Sequence, residues 1–345
     1  MFSSVNPRLT VMANIRGGVF TRADARACGY DDAHIDYLLQ CGSWRRVGHG
    51  KYALRRLFIV VNDEMLHLRR LYSLLYGGRS GLVASHQSAA GLYGLPLWGL
   101  DLSELHVTPD DSADGGAGTR RRGRGVVHRH AGPLPADHVR TWNRLPLVAP
   151  SRAVAEVCAT AHAEAAVVCV DAAMTAGLVD RRSLRAAVDA LPSGRDDADR
   201  AIGAATGRAE SIGESRLRYH LRCAGLPEPS TRRAPLGHDY NVPALWFPDQ
   251  RTAVEFDPWL PYWHDYTDDD ERPDFSPDED GPPVVEHVWI PWADLDQPDV
   301  VVARVRAAFA RAEARSGVRQ FDPTRPRTHR RRFRPPLLDQ SGVPC

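Results

Sequence analysis

The stretch from Gly213 to Asp257 restricts this chain more than any other. Residues 213–227, GESRLRYHLRCAGLP, carry Leu217, Leu221 and Ala224 at helical spacing, which predicts a helix with an apolar stripe turned to a core. Glu214 lies on that stripe, one turn before Leu217. Two short strands are expected next, NVPALWF over 241–247 and RTAVEFD over 251–257, joined across Pro248-Asp249-Gln250. The strand period of two puts Ala253, Glu255 and Asp257 on one face and Thr252, Val254 and Phe256 on the other. Carboxylates converging from a helix and an adjoining strand suit a metal site for phosphodiester hydrolysis, because Mg²⁺ takes oxygen ligands and polarises a phosphate while activating water.

This pattern resembles the restriction-endonuclease-like fold, in particular the family related to very-short-patch-repair endonucleases. The residues that carry the resemblance are GESRLR and the strand ending in Glu255-Phe256-Asp257. It implies Glu214, Glu255 and Asp257 as metal ligands or catalytic groups, with His264 joining them at a longer spacing. Where that family carries a strand Asp, this chain has Ala244. Asp239 sits at an odd offset from that position and Asp249 falls in the turn, so neither replaces it without a register change. Pro243 removes a ladder donor, and Pro258 stands where the family has Gly. The insert 268–283, DDDERPDFSPDEDGPP, would repel a phosphate backbone. The expectation is therefore a degenerate nuclease scaffold needing no cofactor. A Mg²⁺-dependent DNA endonuclease is the alternative.

A chain of 345 residues has room for two or three domains. Its apolar and charged fractions, 43% and 25%, are those of a soluble globular protein rather than a disordered one. The net charge of +1 provides no global field for nucleic acid, so any such affinity must come from local patches. Lys51 is the sole lysine, which leaves none for catalysis in 213–257. Cys28, Cys41, Cys158, Cys169, Cys223 and Cys345 show neither C-x-x-C nor zinc-ligand spacing and are expected to be free thiols in a reducing compartment. The N-terminal segment lacks the pattern of a secretory leader, and no run approaches the ~18 apolar residues of a membrane span. A cytoplasmic location without membrane contact is expected.

Residues 1–57 predict a winged helix-turn-helix. Pro7 to Arg16 reads as a helix closed by Gly17-Gly18; Thr21 caps a second helix that Gly29 ends; Asp31 opens a third, with Ala33, Tyr37 and Leu38 among its core candidates. SWRRVGHGKYAL then alternates around Gly48-His49-Gly50 as a two-stranded wing. The words GVFTRADARACGY and WRRVGHGKYAL resemble the N-terminal domain of AbiEi-type antitoxins. That resemblance implies an autorepressing transcriptional regulator of a toxin–antitoxin or phage-defence operon. It also implies double-stranded DNA as a partner and a nucleotidyltransferase-like toxin as a possible second one. Arg45, Arg46, His49 and Lys51 on the wing and Arg22 and Arg26 on the second helix are candidate phosphate contacts. His34 and Gln40 on the third helix are candidates for the groove. Asp31 and Asp32 suit a helix N-terminus, whereas Asp36 does not favour DNA, so a protein-interaction module without DNA binding remains open.

Residues 58–200 are expected to form an α/β middle region that follows the antitoxin layout more weakly. LFIVVNDEMLHLRRLYSLLYGG predicts a helix with Met65, Leu68, Leu71 and Leu75 inward. Ser85 is expected to cap the SHQSAAGLYG helix, and Ser85-His86 lacks the surroundings of a hydrolase dyad. ELHVTP and GVVHRH predict paired strands separated by a flexible loop whose basic run is Arg120–Arg124. Ser151 is expected to cap a helix, Asp171 to pair with an arginine such as Arg152, and 193–211 to link to the next domain. After an endonuclease-like α/β domain at 205–315, which ends in a helix with Val301, Val305 and Phe309 inward, residues 316–345 are an Arg/Pro-rich segment expected to be disordered. The fold class expected is α+β and multidomain.

Overall fold

The computed structural model describes residues 6–55, 62–76, 81–110, 118–122, 125–230, 245–257 and 285–316. Its architecture is mixed helix and sheet, divided by packing into two compact units, 1–219 and 220–345. Ala244, Asp239, Pro243, Pro258, His264, the acidic insert and the Arg/Pro-rich segment lie outside the described residues.

The first unit begins with α1 (Pro7–Ile15), β1 (Val19–Thr21), α2 (Arg22–Ala27), α3 (Asp32–Gln40), β2 (Trp44–Gly48) and β3 (Lys51–Leu54). Short polar signals set these boundaries. Asn6 caps α1, Thr21 and Asp24 form a reciprocal capping box on α2, and the Asp31 carboxylate accepts from the His34 amide at the start of α3. Gly29 and Gly50 adopt positive φ in the turns. The strands pair antiparallel in the order β1-β3-β2. Leu9, Phe20, Ile35, Leu38, Trp44 and Tyr52 close the core, with the Trp44 ring edge-on to Phe20 at 4.7 Å and to Tyr30 at 5.0 Å. Two expectations for α3 fail: Ala33 and Tyr37 are exposed, because the face turned inward is set by Ile35 and Leu38. Strand β1 was not anticipated. Three residues are too few to show a period.

Helix α4 (Asp63–Leu75) anchors this winged body through polar contacts. Arg69 Nε donates to the Gly17 carbonyl at 2.9 Å, Ser73 Oγ to Val47 at 2.9 Å, and the Tyr76 hydroxyl joins Arg16 and Asp24 in one buried network. A Cβ on Gly17 would meet the Arg69 backbone at 2.9 Å, at a φ of +59°, so glycine is required there. Leu71 and Leu75 face inward as expected, but Met65 is exposed.

Behind α4 stands a six-stranded sheet of order β6-β7-β5-β4-β9-β8, made of β4 (Leu82–Ala84), β5 (Glu104–Pro109), β6 (Gly118–Arg122), β7 (Gly125–Arg129), β8 (Val139–Trp142) and β9 (Leu145–Val148). The β5–β7 and β4–β9 pairs are parallel and the other three antiparallel. The predicted pairing of ELHVTP with GVVHRH is present, but the loop between them contributes β6, so Arg120–Arg122 are in a strand. Asn143 and Arg144 turn β8 into β9 with positive φ at both positions.

Helices α5 (His86–Leu92), α6 (Pro150–Thr160), α7 (Ala163–Thr175), α8 (Arg181–Asp189) and α9 (Arg195–Ala204) share an apolar core of small and β-branched side chains. Helix α9 buries Ala198, Ala201 and Ile202, so the stretch expected to be a linker is part of this core. Ser85 occupies the N-cap of α5 without a side-chain capping bond, and α6 starts at Pro150 rather than after Ser151. Arg152 pairs with Glu156 at 2.8 Å instead of with Asp171. Asp171 accepts from the amides of Thr206 at 2.7 Å and Gly207 at 2.6 Å and from the Ser215 hydroxyl, which satisfies a nearly fully buried carboxylate.

Helix α10 (Ile212–Cys223) crosses the division between the units. In the second unit β10 (Leu245–Phe247) pairs antiparallel with β11 (Thr252–Asp257), which pairs parallel with β12 (Glu286–Pro291). Helix α11 (Pro298–Ser316) covers this sheet with Val301, Val305 and Phe309, as its periodicity predicts, and Phe309 meets Phe247 edge-on at 5.2 Å.

Candidate nucleic-acid interface

The charge on the winged body is divided between two regions. On the α2–α3 side each cation meets an acid. Arg22 donates to Asp32 at 2.9 Å and also to Asp36, while Arg26 holds Asp32 through two bonds at 3.1 and 2.6 Å. The Arg26 bond, followed by Arg22, keeps the Asp32 carboxyl below its ordinary range, so the acid stays charged beside its partners. Arg22 and Arg26, expected as phosphate contacts, thus stand in local pairs. His34 Nδ1 lies 3.3 Å from the Asp31 carboxylate and its ring is edge-on to Tyr30. Gln40 is exposed at the far end of α3.

Around that far end basic side chains gather. A shallow recess is lined by Gln40, Trp44, Arg45, Arg46 and Arg55, with Leu39 and Gly42 completing it. Arg45 and Arg46 are both exposed on β2, the edge of the sheet, where the register slips before Gly48. Arg55 was missed in the sequence because it follows the last wing strand, beyond the alternating run that marks the wing. Tyr37, half-exposed on α3, was missed because helical spacing alone places it with the core residues. His49 stays at the exposed tip between β2 and β3. Lys51 is used elsewhere: its Nζ donates to the Ser73 carbonyl at 2.6 Å, tying the wing to α4.

The nuclease-like residues are distributed differently. Glu214 belongs to the first unit, Glu255 and Asp257 to the second. Both oxygens of Glu214 are engaged, Oε1 by Arg218 at 2.9 and 2.8 Å and Oε2 by the Glu210 amide at 2.9 Å. Ser215 donates to Asp171, and Arg216 pairs with Glu164 at 2.7 Å beneath the Trp98 ring, 4.1 Å from its centroid. Every polar member of the GESR motif therefore fastens α10 within the first unit. Glu255 lies 3.3 Å from His287 Nδ1. A divalent ion does not fit Glu214 as it stands, because the guanidinium on its carboxylate opposes a second cation there. Among the described residues, the groups able to gather a metal are His86–His106–His130 and Glu104–His106–His128.

A helix, strand, helix, helix, strand, strand body with a basic sheet edge is a winged helix, the architecture of many DNA-binding regulators. Residues 12–55 match the family model described as a transcriptional regulator, the AbiEi antitoxin, and this match runs from within α1 to Arg55. No curated protein matches the chain. Among the described residues, no helix is long and apolar enough to cross a membrane.

Proposed function

We propose that this chain is a DNA-binding transcriptional regulator that represses its own operon in the manner of type IV antitoxins, within a toxin–antitoxin or phage-defence locus. The carrying observation is the coincidence of the matched segment with a winged helix whose exposed arginines, Arg45, Arg46 and Arg55, collect at the C-terminal end of α3 and the sheet edge. In this reading those three residues meet phosphates, Gln40 and Tyr37 reach toward the groove, and His49 flanks the backbone. The partner is double-stranded DNA, with a nucleotidyltransferase-like toxin as a second partner, and the site of action is the cytoplasm. The restriction-endonuclease-like body at 205–315 serves as a holder without cleavage chemistry or a required Mg²⁺, since Glu214 is committed to Arg218 and the Glu210 amide.

The test is a gel shift on DNA from upstream of the gene across a salt series. A shift that weakens steeply with salt supports the reading, and no salt-sensitive shift refutes it. One observation favours a second reading, a protein-interaction winged helix: the acids of α3 neutralise the two arginines of α2. Capture of a partner protein that survives Arg46→Ala and Arg55→Ala, with no DNA shift, would select it.

A further inference from the structure

Strands β5 and β7 are parallel neighbours, with His106 directly opposite His128. The strand period of two therefore lays Glu104 and His106 on the same face as His128 and His130. Leu105, Val107 and Val127 fill a hydrophobic core on the opposite face. Helix α5 begins at this face with His86, whose ring stacks on His130 at 3.7 Å between centroids and lies 5.3 Å from His106. Three imidazoles thus arrive from three separate elements, and one donor nitrogen from each lies within 4.8 Å of the others. Imidazoles gathered from distant sequence positions at this density need a reason, because apolar side chains would fill the same space without desolvating polar nitrogens.

We propose that His86, His106 and His130 form a binding site for a transition-metal ion of the zinc class. An all-imidazole set suits Zn²⁺, Co²⁺, Ni²⁺ or Cu²⁺ and does not suit Mg²⁺ or Ca²⁺, which require oxygen donors. His106 Nδ1 already sits 2.8 Å from His130 Nε2; a tetrahedral ion with bonds of about 2.0–2.1 Å would spread that pair by roughly half an ångström. Moving the His106 hydrogen to Nε2 frees Nδ1 for the metal. Nε2 is buried without a hydrogen-bond partner and faces the Glu104 carboxylate at 3.9 Å.

The outer shell is present too. His86 Nδ1 lies 3.4 Å from Glu156 Oε2 and 3.2 Å from Ser85 Oγ, so Nε2 is the nitrogen left to ligate, and the His86 ring must turn off the face of His130 to bring that lone pair to the ion. Glu156 is itself held by Arg152 at 2.8 Å and accepts from the His86 amide at 3.0 Å. A carboxylate behind a ligating imidazole fixes its tautomer and raises its basicity. Three protein ligands leave a fourth position for water or a small anion. This site is independent of the DNA-binding reading.

The test uses the full chain, stripped with chelator and titrated with Zn²⁺ against a chromophoric competitor, and with Co²⁺ followed by visible absorption. One ion per chain is expected, with the intense visible bands of low-coordinate Co²⁺. His86→Gln and His130→Gln should each abolish stoichiometric binding, His128→Gln should retain it, and Glu156→Gln should weaken it by about 10–100-fold. Circular dichroism of each variant separates loss of the site from loss of the fold, and His130, the least buried of the three, is the decisive position. Absence of stoichiometric binding by folded wild-type chain would overturn the proposal. So would loss on His128→Gln with His86→Gln unaffected, which would assign the metal to Glu104–His106–His128 instead.

Discussion

Asp32→Asn combined with Asp36→Asn should strengthen DNA binding by a calculable amount. The two acids hold Arg22 and Arg26, and neither arginine reaches a phosphate while so paired. Asn keeps the shape and removes the charge. The pairs are largely exposed, with side-chain accessibilities of 32% for Arg22, 50% for Asp32 and 56% for Asp36, so solvent screening makes their loss cost little stability. Losing the Asp32 charge from the first turn of α3 also removes a favourable interaction with the helix dipole, one that solvent and salt already screen. The fold should therefore survive. If each released guanidinium neutralises one phosphate, the slope of log K against log salt steepens by about 0.9 per arginine, or roughly 1.8 for both. Between about 50 and about 200 mM salt that change makes the variant lose roughly twelvefold more affinity than the parent. Fluorescence anisotropy of a labelled duplex, repeated over the salt series, measures it directly. A folded variant with the parental slope would show that Arg22 and Arg26 do not face the DNA, and the masking argument would fail even if the parent binds.

Three further outcomes follow from the geometry. Arg46→Ala and Arg55→Ala should each reduce the salt slope by about one and weaken binding evenly across sequences, as phosphate contacts do, checked by the same anisotropy series. Glu164→Gln breaks the buried ion pair with Arg216 beneath Trp98 and should destabilise the first unit by about 3–5 kcal/mol in urea melts; Glu164→Gln with Arg216→Met should recover much of that loss. Asp24 gives an acid-side dependence. Burial opposes its charge, but hydrogen bonds from Thr21 and Tyr76 and the nearby Arg16 outweigh it, so its folded pKa is depressed. Its stabilising contribution is complete above the unfolded value of about 3.9 and is lost as pH falls through the lower folded value. The stability gap between parent and Asp24→Asn should therefore be wider at about pH 6 than at about pH 2, and a gap that does not narrow would contradict the assignment.

Where the sequence succeeded, the signal was local. Thr21 three residues before Asp24, Asp31 three residues before His34, and glycines at 29 and 50 mark boundaries that need no knowledge of the rest of the chain. The amphipathic run of α11 and the hairpin at Pro248-Asp249-Gln250 belong to the same class. Where it failed, the deciding contact was remote. Lys51 looks like a wing cation until Ser73 supplies its acceptor, Asp171 looks like a partner for Arg152 until the 206–207 amides and Ser215 arrive, and the GESR motif looks catalytic until Glu164, Asp171 and Arg218 occupy it. The imidazole cluster had a visible trace: Glu104 and His106, like His128 and His130, are spaced two apart on strands. Only the parallel pairing of those strands, and a helix start beside them, turned two pairs into one group.

The sequence by itself determined the winged helix, because caps, turn glycines and an apolar period of 3.6 or 2 act over one or two turns of chain. Tertiary structure decided which charges remain available to a partner. An ion pair such as Arg22–Asp36 or Arg216–Glu164 depends on the angle and distance at which separate elements cross, and neither quantity is encoded in the spacing of residues along one of them.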